Sequence, residues 1–240
     1  VLIITDGFLE SSGMVAKMAQ HLPAGARYQT YSDVKPDPSQ ELVDAGVAVV
    51  ERVQPDMVIA FGGGSCIDAT KAILHFAHEH GMAKPYFLAI PTTAGTGSEV
   101  TNFAVITRGE NKVVLIDDFL APDGALLEAD FTKTVPAKIT ADTGLDVLTH
   151  AIEAYVSNAA TPFTDALAVK AASIVFEDLP VVYRDGLAVR HDRHGVGEPL
   201  GLDTWIGLPE SEHGRVAPLV GGLVPTDITD EQRALYEQFM

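Results

Sequence analysis

The chain has 240 residues, of which 47% are hydrophobic and 20% are charged, as in a folded globular protein with one large or two modest domains. Acidic residues outnumber basic ones 33 to 16, and the formal net charge of −17 disfavours nucleic acid or an anionic membrane as a partner. No apolar run reaches the length of a transmembrane helix. The single cysteine, Cys66, excludes an intrachain disulfide and favours a reducing compartment, so we expect a cytoplasmic protein.

The first ninety residues alternate short apolar, β-rich runs with segments of helical periodicity. The pattern predicts strands over 1–5, 28–31, 56–61 and 87–90, and helices over 14–22, 39–53 and from the glycine loop to about 80. This alternation predicts a parallel, Rossmann-like sheet with helices on both faces. Such sheets bind ligands at the carboxyl ends of their strands.

A run of three glycines, Gly62-Gly63-Gly64, lies between a predicted strand and a predicted helix. Glycines allow a bulky anion to approach the backbone, and Ser65 is a candidate N-cap whose helix amides would point toward that anion. The segment is therefore interpreted as a phosphate-binding loop. A tight strand-to-helix turn without a ligand is the alternative. Cys66, next to the loop, is expected to be a small buried thiol.

A second small-residue loop spans Pro91–Asn102 and carries several hydroxyl groups, which suit ribose and phosphate oxygens. A hydroxyl-rich turn with only local hydrogen bonds is the alternative. Asp6 ends the first predicted strand and could accept hydrogen bonds from a ribose, although Asp-Gly is also a common turn. Two polar loops at adjacent strand ends favour nucleotide binding.

The pattern changes after the second loop. Two β-like runs over 100–107 and 112–116 precede a region of helical periodicity, with helices predicted over 139–157 and 162–179. We place a domain boundary near residue 135, which gives a nucleotide-binding α/β domain over 1–135 and a helical domain over 136–240. Beyond about 185 the sequence is irregular.

One predicted helix carries a candidate metal site. Asp146 and His150 stand four residues apart, so both side chains point to one face, where an oxygen and an imidazole nitrogen can bind one divalent cation. An ordinary Asp–His surface pair is the alternative. The pair sits in a helix that is apolar nearly all round, which favours ligation. His191, His194 and His213 are candidates for the remaining ligands.

The glycine loop, the Pro91–Asn102 loop and the Asp146-x3-His150 segment, in this order and spacing, closely resemble the iron-containing (group III) alcohol dehydrogenase family. The resemblance covers roughly residues 1–185. It implies a dehydroquinate synthase-like α/β domain that binds NAD, followed by an all-helical domain that holds one Fe²⁺, with Zn²⁺ as an alternative. It also implies metal-assisted hydride transfer between a short-chain primary alcohol, such as 1-propanol, and the nicotinamide.

The resemblance assigns cofactor contacts residue by residue. Asp6 would select the adenosine ribose and favour NAD over NADP. The pyrophosphate would lie on the glycine loop and the nicotinamide beside the second loop. The implied cofactor-binding residues are Asp6, Gly63, Gly64, Ser65, Asp68, Thr92, Thr93, Ser98 and Lys112.

The resemblance also assigns metal ligands and reveals departures. Asp146 and His150 match the first two ligands, and His194 and His213 stand in segments similar to those of the other two. Glu198 occupies the place of a histidine that the family uses in proton transfer. Family members are substantially longer, so we expect a helical domain that is abbreviated after about 185.

The sequence thus predicts an NAD-dependent, iron-type alcohol dehydrogenase whose partner is a small alcohol or aldehyde, without nucleic acid or membrane. Two alternatives stay open: an NAD-binding remnant that lacks a complete metal site, and a related metal-dependent polyol dehydrogenase. The particular alcohol, a homodimeric state and residence in a bacterial microcompartment also stay open.

Overall fold

A computed structural model describes residues 1–185, 189–191 and 197–199. These residues divide into two compact units. The first comprises Val1–Ile90 and Ser98–Leu126, and the second comprises Pro91–Gly97 and the described residues from Leu127 onward. The domain boundary near residue 135 stays a prediction. Within the described residues, no helix has both the length and the apolar character needed to cross a membrane.

Within the described residues, five strands form one sheet: β1 (Leu2–Asp6), β2 (Gln29–Val34), β3 (Met57–Gly62), β4 (Tyr86–Pro91) and the two-residue β7 (Gly124–Ala125). Their order across the sheet is β2-β1-β3-β4-β7. Strand β1 pairs in parallel with β2 and β3, and β4 pairs in parallel with β7. Residues 2–4 of β1 are fully buried, as expected for a strand of a parallel sheet covered on both faces. The predicted parallel α/β fold is confirmed.

Among the described residues, four helices accompany these strands: α1 (Gly7–Ser11), α2 (Met14–Ala19), α3 (Gln40–Val53) and α4 (Gly64–Glu79). Helix α3 begins after Ser39, whose hydroxyl oxygen accepts a hydrogen bond from the Leu42 amide at 3.3 Å and so caps the helix. Helix α4 is the most buried, and its apolar side chains pack with those of α3 and of the sheet in one hydrophobic core.

A separate antiparallel hairpin completes the first unit. Strands β5 (Phe103–Arg108) and β6 (Asn111–Ile116) pair in register around Gly109, whose φ of 62° suits a glycine in the turn. Ala104 and Ile106 of β5 are fully buried, and Ile106 belongs to the core that includes α4. The two predicted β runs are therefore one hairpin, and its inner face packs on the hydrophobic core of the first unit.

In the second unit, two long helices pack against each other: α5 (Ala137–Val156) and α6 (Pro162–Asp185). Gly144 marks their contact, because a Cβ there would lie 2.6 Å from Leu179 Cδ1. Both predicted helices are confirmed, and α6 continues past its predicted end. The backbone then forms a short hairpin, β8 (Val189–His191) with β9 (Gly197–Pro199), in a region predicted to be irregular.

Candidate functional site

The glycine-rich loop joins β3 to α4 as predicted, but its cap differs from the prediction. Gly63, in an extended conformation, is the N-cap of α4 and makes no side-chain capping bond, while Ser65 lies inside the first turn. The prediction that Ser65 caps the helix is therefore wrong. Gly63, Gly64 and Ser65 are all partly exposed, so their backbone is accessible at the helix N-terminus.

The start of α4 approaches the end of β3 closely at Gly62. A Cβ at Gly62 would lie 2.6 Å from Cys66 Cβ, so only glycine fits here. Cys66 is buried, and its Sγ donates to the Ile4 carbonyl oxygen at 3.2 Å. Burial raises the pKa of the thiol above its ordinary range, so Cys66 is the inert buried thiol that the sequence predicts.

The carboxyl ends of β1 and β3 are held side by side. The Thr5 hydroxyl, which is fully buried, donates to the Phe61 carbonyl oxygen at 2.7 Å. Asp6 follows Thr5 directly and is half-buried, and its Oδ1 accepts a hydrogen bond from the Leu9 amide at 2.9 Å. Asp6 therefore caps α1 at the same sheet edge as the glycine loop.

Two other residues assigned to the cofactor make definite contacts inside the protein. Asp68 Oδ2 accepts a hydrogen bond from the Val105 amide at 3.0 Å, which ties α4 to β5. Lys112 is exposed and forms an ion pair with Asp37 in the loop after β2. Cofactor contacts for Asp68 and Lys112 stay predictions.

The second small-residue loop follows β4, and its residues belong partly to the second unit and partly to the first. Thr92 is buried and Thr93 is partly exposed, and both belong to the second unit. In that unit a Cβ at Gly95 would lie 2.6 Å from Thr143 Cβ and 2.7 Å from the Thr143 carbonyl oxygen, so the loop lies directly against α5. Ser98 belongs to the first unit, where it begins a single turn of 3₁₀ helix and is buried.

The predicted metal pair lies on α5. His150 Nε2 stands 3.9 Å from Asp146 Oδ1, and both side chains are about half exposed, 54% and 42% respectively. Helix α5 is much more exposed than its apolar sequence predicts, since only Gly144 and Ala151 of its residues are buried. Among the described residues, no group of three or more metal-ligating side chains comes together.

The remaining assigned residues fall at or beyond the edge of what the structure describes. His194 and His213 lie outside the described residues. Glu198 lies in β9, where the structure describes only its backbone, which pairs with that of Arg190. Their roles stay predictions.

The sequence patterns missed a buried cluster of charged residues in the first unit. Lys71 of α4 is fully buried, and its ammonium donates to the Thr101 carbonyl oxygen at 2.7 Å and to the Phe103 carbonyl oxygen at 2.8 Å. Burial lowers the pKa of Lys71 to about 8, while the nearby carboxylates of Asp68 and Glu99 oppose that shift. Asp68 lies three residues before Lys71 on the same helix face, but this spacing alone is typical of an exposed ion pair, so it did not indicate a buried cluster.

A glycine loop at the carboxyl edge of a parallel sheet is typical of α/β proteins that bind nucleotides, and the second unit of this chain is helical. The profile of the iron-containing alcohol dehydrogenase family matches residues 1–129, and that of the C-terminal part of the Fe-containing alcohol dehydrogenase family matches residues 140–195. The chain belongs to the iron-containing alcohol dehydrogenase family.

Individual relatives agree with this assignment. The 1-propanol dehydrogenase PduQ of Citrobacter freundii is 47% identical over 206 residues, covering 84% of the chain and 56% of that protein. The NADPH-dependent butanol dehydrogenase of Clostridium saccharobutylicum is 39% identical over 213 residues, covering 81% of the chain and 55% of that protein.

A solved structure shows the same fold. Sulfoacetaldehyde reductase from Bifidobacterium kashiwanohense, in complex with NAD⁺, matches with a TM-score of 0.71 and 32% identity, covering 77% of the chain and 53% of that protein. The chain thus spans about half the length of the relatives it matches.

Proposed function

We propose that this chain binds NAD and a divalent metal and acts as an alcohol dehydrogenase. The proposed reaction interconverts short-chain primary alcohols and aldehydes, such as 1-propanol and propanal. One observation carries the proposal. The glycine loop and Asp6 end two neighbouring parallel strands, and the contacts of Thr5 and Cys66 hold these two strand ends together. This is the edge at which α/β sheets bind nucleotides.

The pyrophosphate would lie on the backbone of Gly63, Gly64 and Ser65, where the amides and dipole at the N-terminus of α4 favour an anion. The partly exposed backbone of this loop supports that role. The hydroxyl groups of Thr92, Thr93 and Ser98 would orient the nicotinamide, as the family resemblance implies. Asp68 and Lys112 complete the proposed cofactor residues.

The negative charge of Asp6 supports a preference for NAD over NADP. A carboxylate that accepts hydrogen bonds from the adenosine ribose would repel the 2′-phosphate of NADP. Relatives differ in this respect, since the butanol dehydrogenase of Clostridium saccharobutylicum is NADPH-dependent. The preference of this chain therefore rests on its own residue at this position.

The described metal donors suit a divalent cation. Asp146 Oδ1 and His150 Nε2 are 3.9 Å apart, close enough for both to bind one ion at ligand distances of about 2.0–2.2 Å. His194 and His213 are the proposed further ligands. Fe²⁺ is the proposed metal and Zn²⁺ the alternative. When bound, the metal supplies a Lewis acid that lowers the pKa of the alcohol.

The protein residues then have distinct tasks in the reaction. When bound, NAD⁺ would supply the acceptor for the hydride of the alcohol carbon, and the alcohol proton would pass to a base of this chain. Thr92, Thr93 and Ser98 would line the nicotinamide side of the cofactor site. Glu198 would accept the proton through water, although the ordinary pKa of a glutamate is lower than that of an efficient base near neutral pH.

The experiment measures cofactor binding and turnover separately. The purified chain is loaded with Fe²⁺ without oxygen, NADH binding is followed by fluorescence, and NADH oxidation is followed with propanal. His150→Gln is the matched variant, because His150 is exposed and its loss should not affect folding. Since loss of an outer-shell partner of a metal ligand already costs about 10–100-fold, we expect loss of His150 to reduce turnover at least about 100-fold, with NADH binding unchanged.

The outcomes separate the alternatives. Binding of NADH without metal retention or turnover would contradict the enzyme proposal and support the NAD-binding remnant. Turnover that strongly prefers glycerol to 1-propanol would support a polyol dehydrogenase. Turnover with propanal that His150→Gln abolishes would support the alcohol dehydrogenase.

A further inference from the structure

Lys71 is a fully buried lysine in the middle of α4. Its ammonium group makes three hydrogen bonds: to the Thr101 carbonyl oxygen at 2.7 Å, to Thr101 Oγ1 at 3.0 Å and to the Phe103 carbonyl oxygen at 2.8 Å. These bonds match the three donors of an ammonium, and bonds from a charged donor are the stronger kind.

Two carboxylates accompany the buried ammonium. Asp68 lies one turn earlier on α4, and Glu99 lies in the 3₁₀ turn Ser98–Val100. Burial raises the pKa of both carboxyl groups and lowers the pKa of Lys71. The ammonium of Lys71 partly offsets the rise at the two carboxyl groups, and their negative charges partly offset the fall at Lys71. A buried charged cluster of this kind commonly stabilises a fold no better than apolar residues of the same volume would. Stability alone is thus a weak explanation for Lys71.

The acceptors of Lys71 show what the cluster fixes. Thr101 and Phe103 flank the point where the second small-residue loop ends and β5 begins. Asp68 fixes the same stretch two residues further on, through the Val105 amide. One face of α4 thus fixes the backbone from Thr101 to Val105, and α4 itself begins at the glycine loop.

We propose that Lys71 is a positioning residue whose ammonium fixes the segment Ser98–Phe103 on α4, and with it the place of Ser98 relative to the glycine loop. The effect on the cofactor rests on the proposed function, because Ser98 acts on the nicotinamide only if the chain binds NAD. The effect on the segment does not depend on the cofactor.

Hydrogen exchange measured by mass spectrometry, without NADH, tests the positioning. Lys71→Met keeps most of the side-chain volume but cannot donate, and it should speed exchange of the 98–105 amides at least about tenfold. Lys71→Gln keeps N–H donors without the charge and should recover part of the protection. The control is Lys84→Met, which removes partly buried contacts of another lysine in the same unit, to the Ala121 carbonyl oxygen and Asp123, and should leave exchange of the 98–105 amides unchanged.

A milder variant covers the case in which Lys71→Met fails to fold. Thr101→Val removes one acceptor of the ammonium, Oγ1, while keeping a branched side chain, and it should speed exchange of the same amides about twofold or more. Unchanged exchange of 98–105 in the Lys71 variants and in Thr101→Val would overturn the inference.

NADH titration separates this inference from the proposed function. If the original chain binds NADH, Lys71→Met should weaken binding several-fold more than Lys84→Met does, and equal affinities would overturn the link to the cofactor. If the original chain does not bind NADH, the proposed function fails, while the exchange result still decides whether Lys71 positions the segment.

Discussion

At the scale of single residues, Asp6 combines a structural and a proposed cofactor-binding role in one carboxylate. Oδ1 caps α1 through the Leu9 amide. We expect Asp6→Asn to raise the affinity for NADPH relative to NADH at least about fivefold, because two like charges about 4 Å apart repel by about 1–4 kcal/mol near a protein surface. Fluorescence titrations with both cofactors measure the ratio.

Asparagine is the informative substitution because its side-chain oxygen can still cap the helix. The free energy of unfolding of Asp6→Asn should therefore stay within about 1 kcal/mol of that of the original protein, as expected for a change between two good capping residues. Asp44→Asn, at an exposed position on α3, makes the same charge change away from the sheet edge. A cofactor ratio that responds equally to both substitutions would rule out a specific role for Asp6.

Cys66 allows a direct test of burial at the edge of the glycine loop. The thiol is buried, donates to the Ile4 carbonyl oxygen and has a raised pKa, so little thiolate is available for alkylation. We expect iodoacetamide at pH 8 to leave the native chain unmodified and to add one group once urea unfolds it, as read by intact mass. Rapid modification of the native protein would show that the strand ends open.

The residue scale also shows where sequence patterns suffice. Ser39 follows a proline-rich loop and precedes an amphipathic helix, so its cap could be predicted from local signals alone. Ser65 carries the same local signal, but Gly63 is the cap, because its carbonyl oxygen already accepts hydrogen bonds from the Cys66 and Ile67 amides at 2.9 and 3.1 Å. The local preference of a serine for the cap position therefore agrees with the structure in the first case and not in the second.

At the scale of elements, the contact of the second loop with α5 depends on Gly95. A Cβ at this position would lie 2.7 Å from the Thr143 carbonyl oxygen, and backbone cannot move aside as a side chain can. We expect Gly95→Ala to lower the free energy of unfolding of the second unit by about 1–3 kcal/mol, as overpacking does. Urea unfolding followed by circular dichroism measures the change.

Gly7→Ala is the matched control for Gly95→Ala. A Cβ at Gly7 would meet only the Ser32 carbonyl oxygen, at an ordinary 3.7 Å, and Gly7 lies in the first turn of α1, where alanine is favoured. This substitution should be neutral or slightly stabilising. Equal losses of stability at both positions would mean that the contact with Thr143 is not the cause.

Helices and strands could be predicted where the residues within each one carry a clear pattern. Strands β1 to β4 and helices α3 to α6 follow apolar periodicity and turn residues in the sequence. Strand β7 has only two residues and forms through its pairing with β4, so no local pattern indicates it. The hairpin of β8 and β9 likewise depends on pairing across a glycine-containing stretch rather than on alternation.

At the scale of the whole molecule, the charged cluster around Lys71 could not be predicted from the helical pattern. Lysine three residues after an aspartate indicates an exposed helix face, and here that face is buried because the 3₁₀ turn and β5 fold over α4. This burial links the protonation of one side chain to the stability of the fold. The size of that link depends on how far the pKa of Lys71 differs between the folded and unfolded chains.

The direction in which stability changes with pH follows from the folded and unfolded pKa values of Lys71. The pKa of Lys71 is about 8 in the folded protein and 10.5 as an ordinary lysine, so between these values the unfolded chain binds more protons than the folded one. Stability due to Lys71 should then rise with pH from about 8 to 10.5, with a slope of at most about 1.4 kcal/mol per pH unit. Urea unfolding of the original chain and of Lys71→Met at several pH values isolates this contribution, because other groups largely cancel in the difference. If the difference between the two free energies of unfolding is constant or falls with rising pH, the folded protein does not disfavour the charged form of Lys71. The hydrogen bonds of the ammonium to Thr101 and Phe103 would then fully compensate the cost of burying its charge.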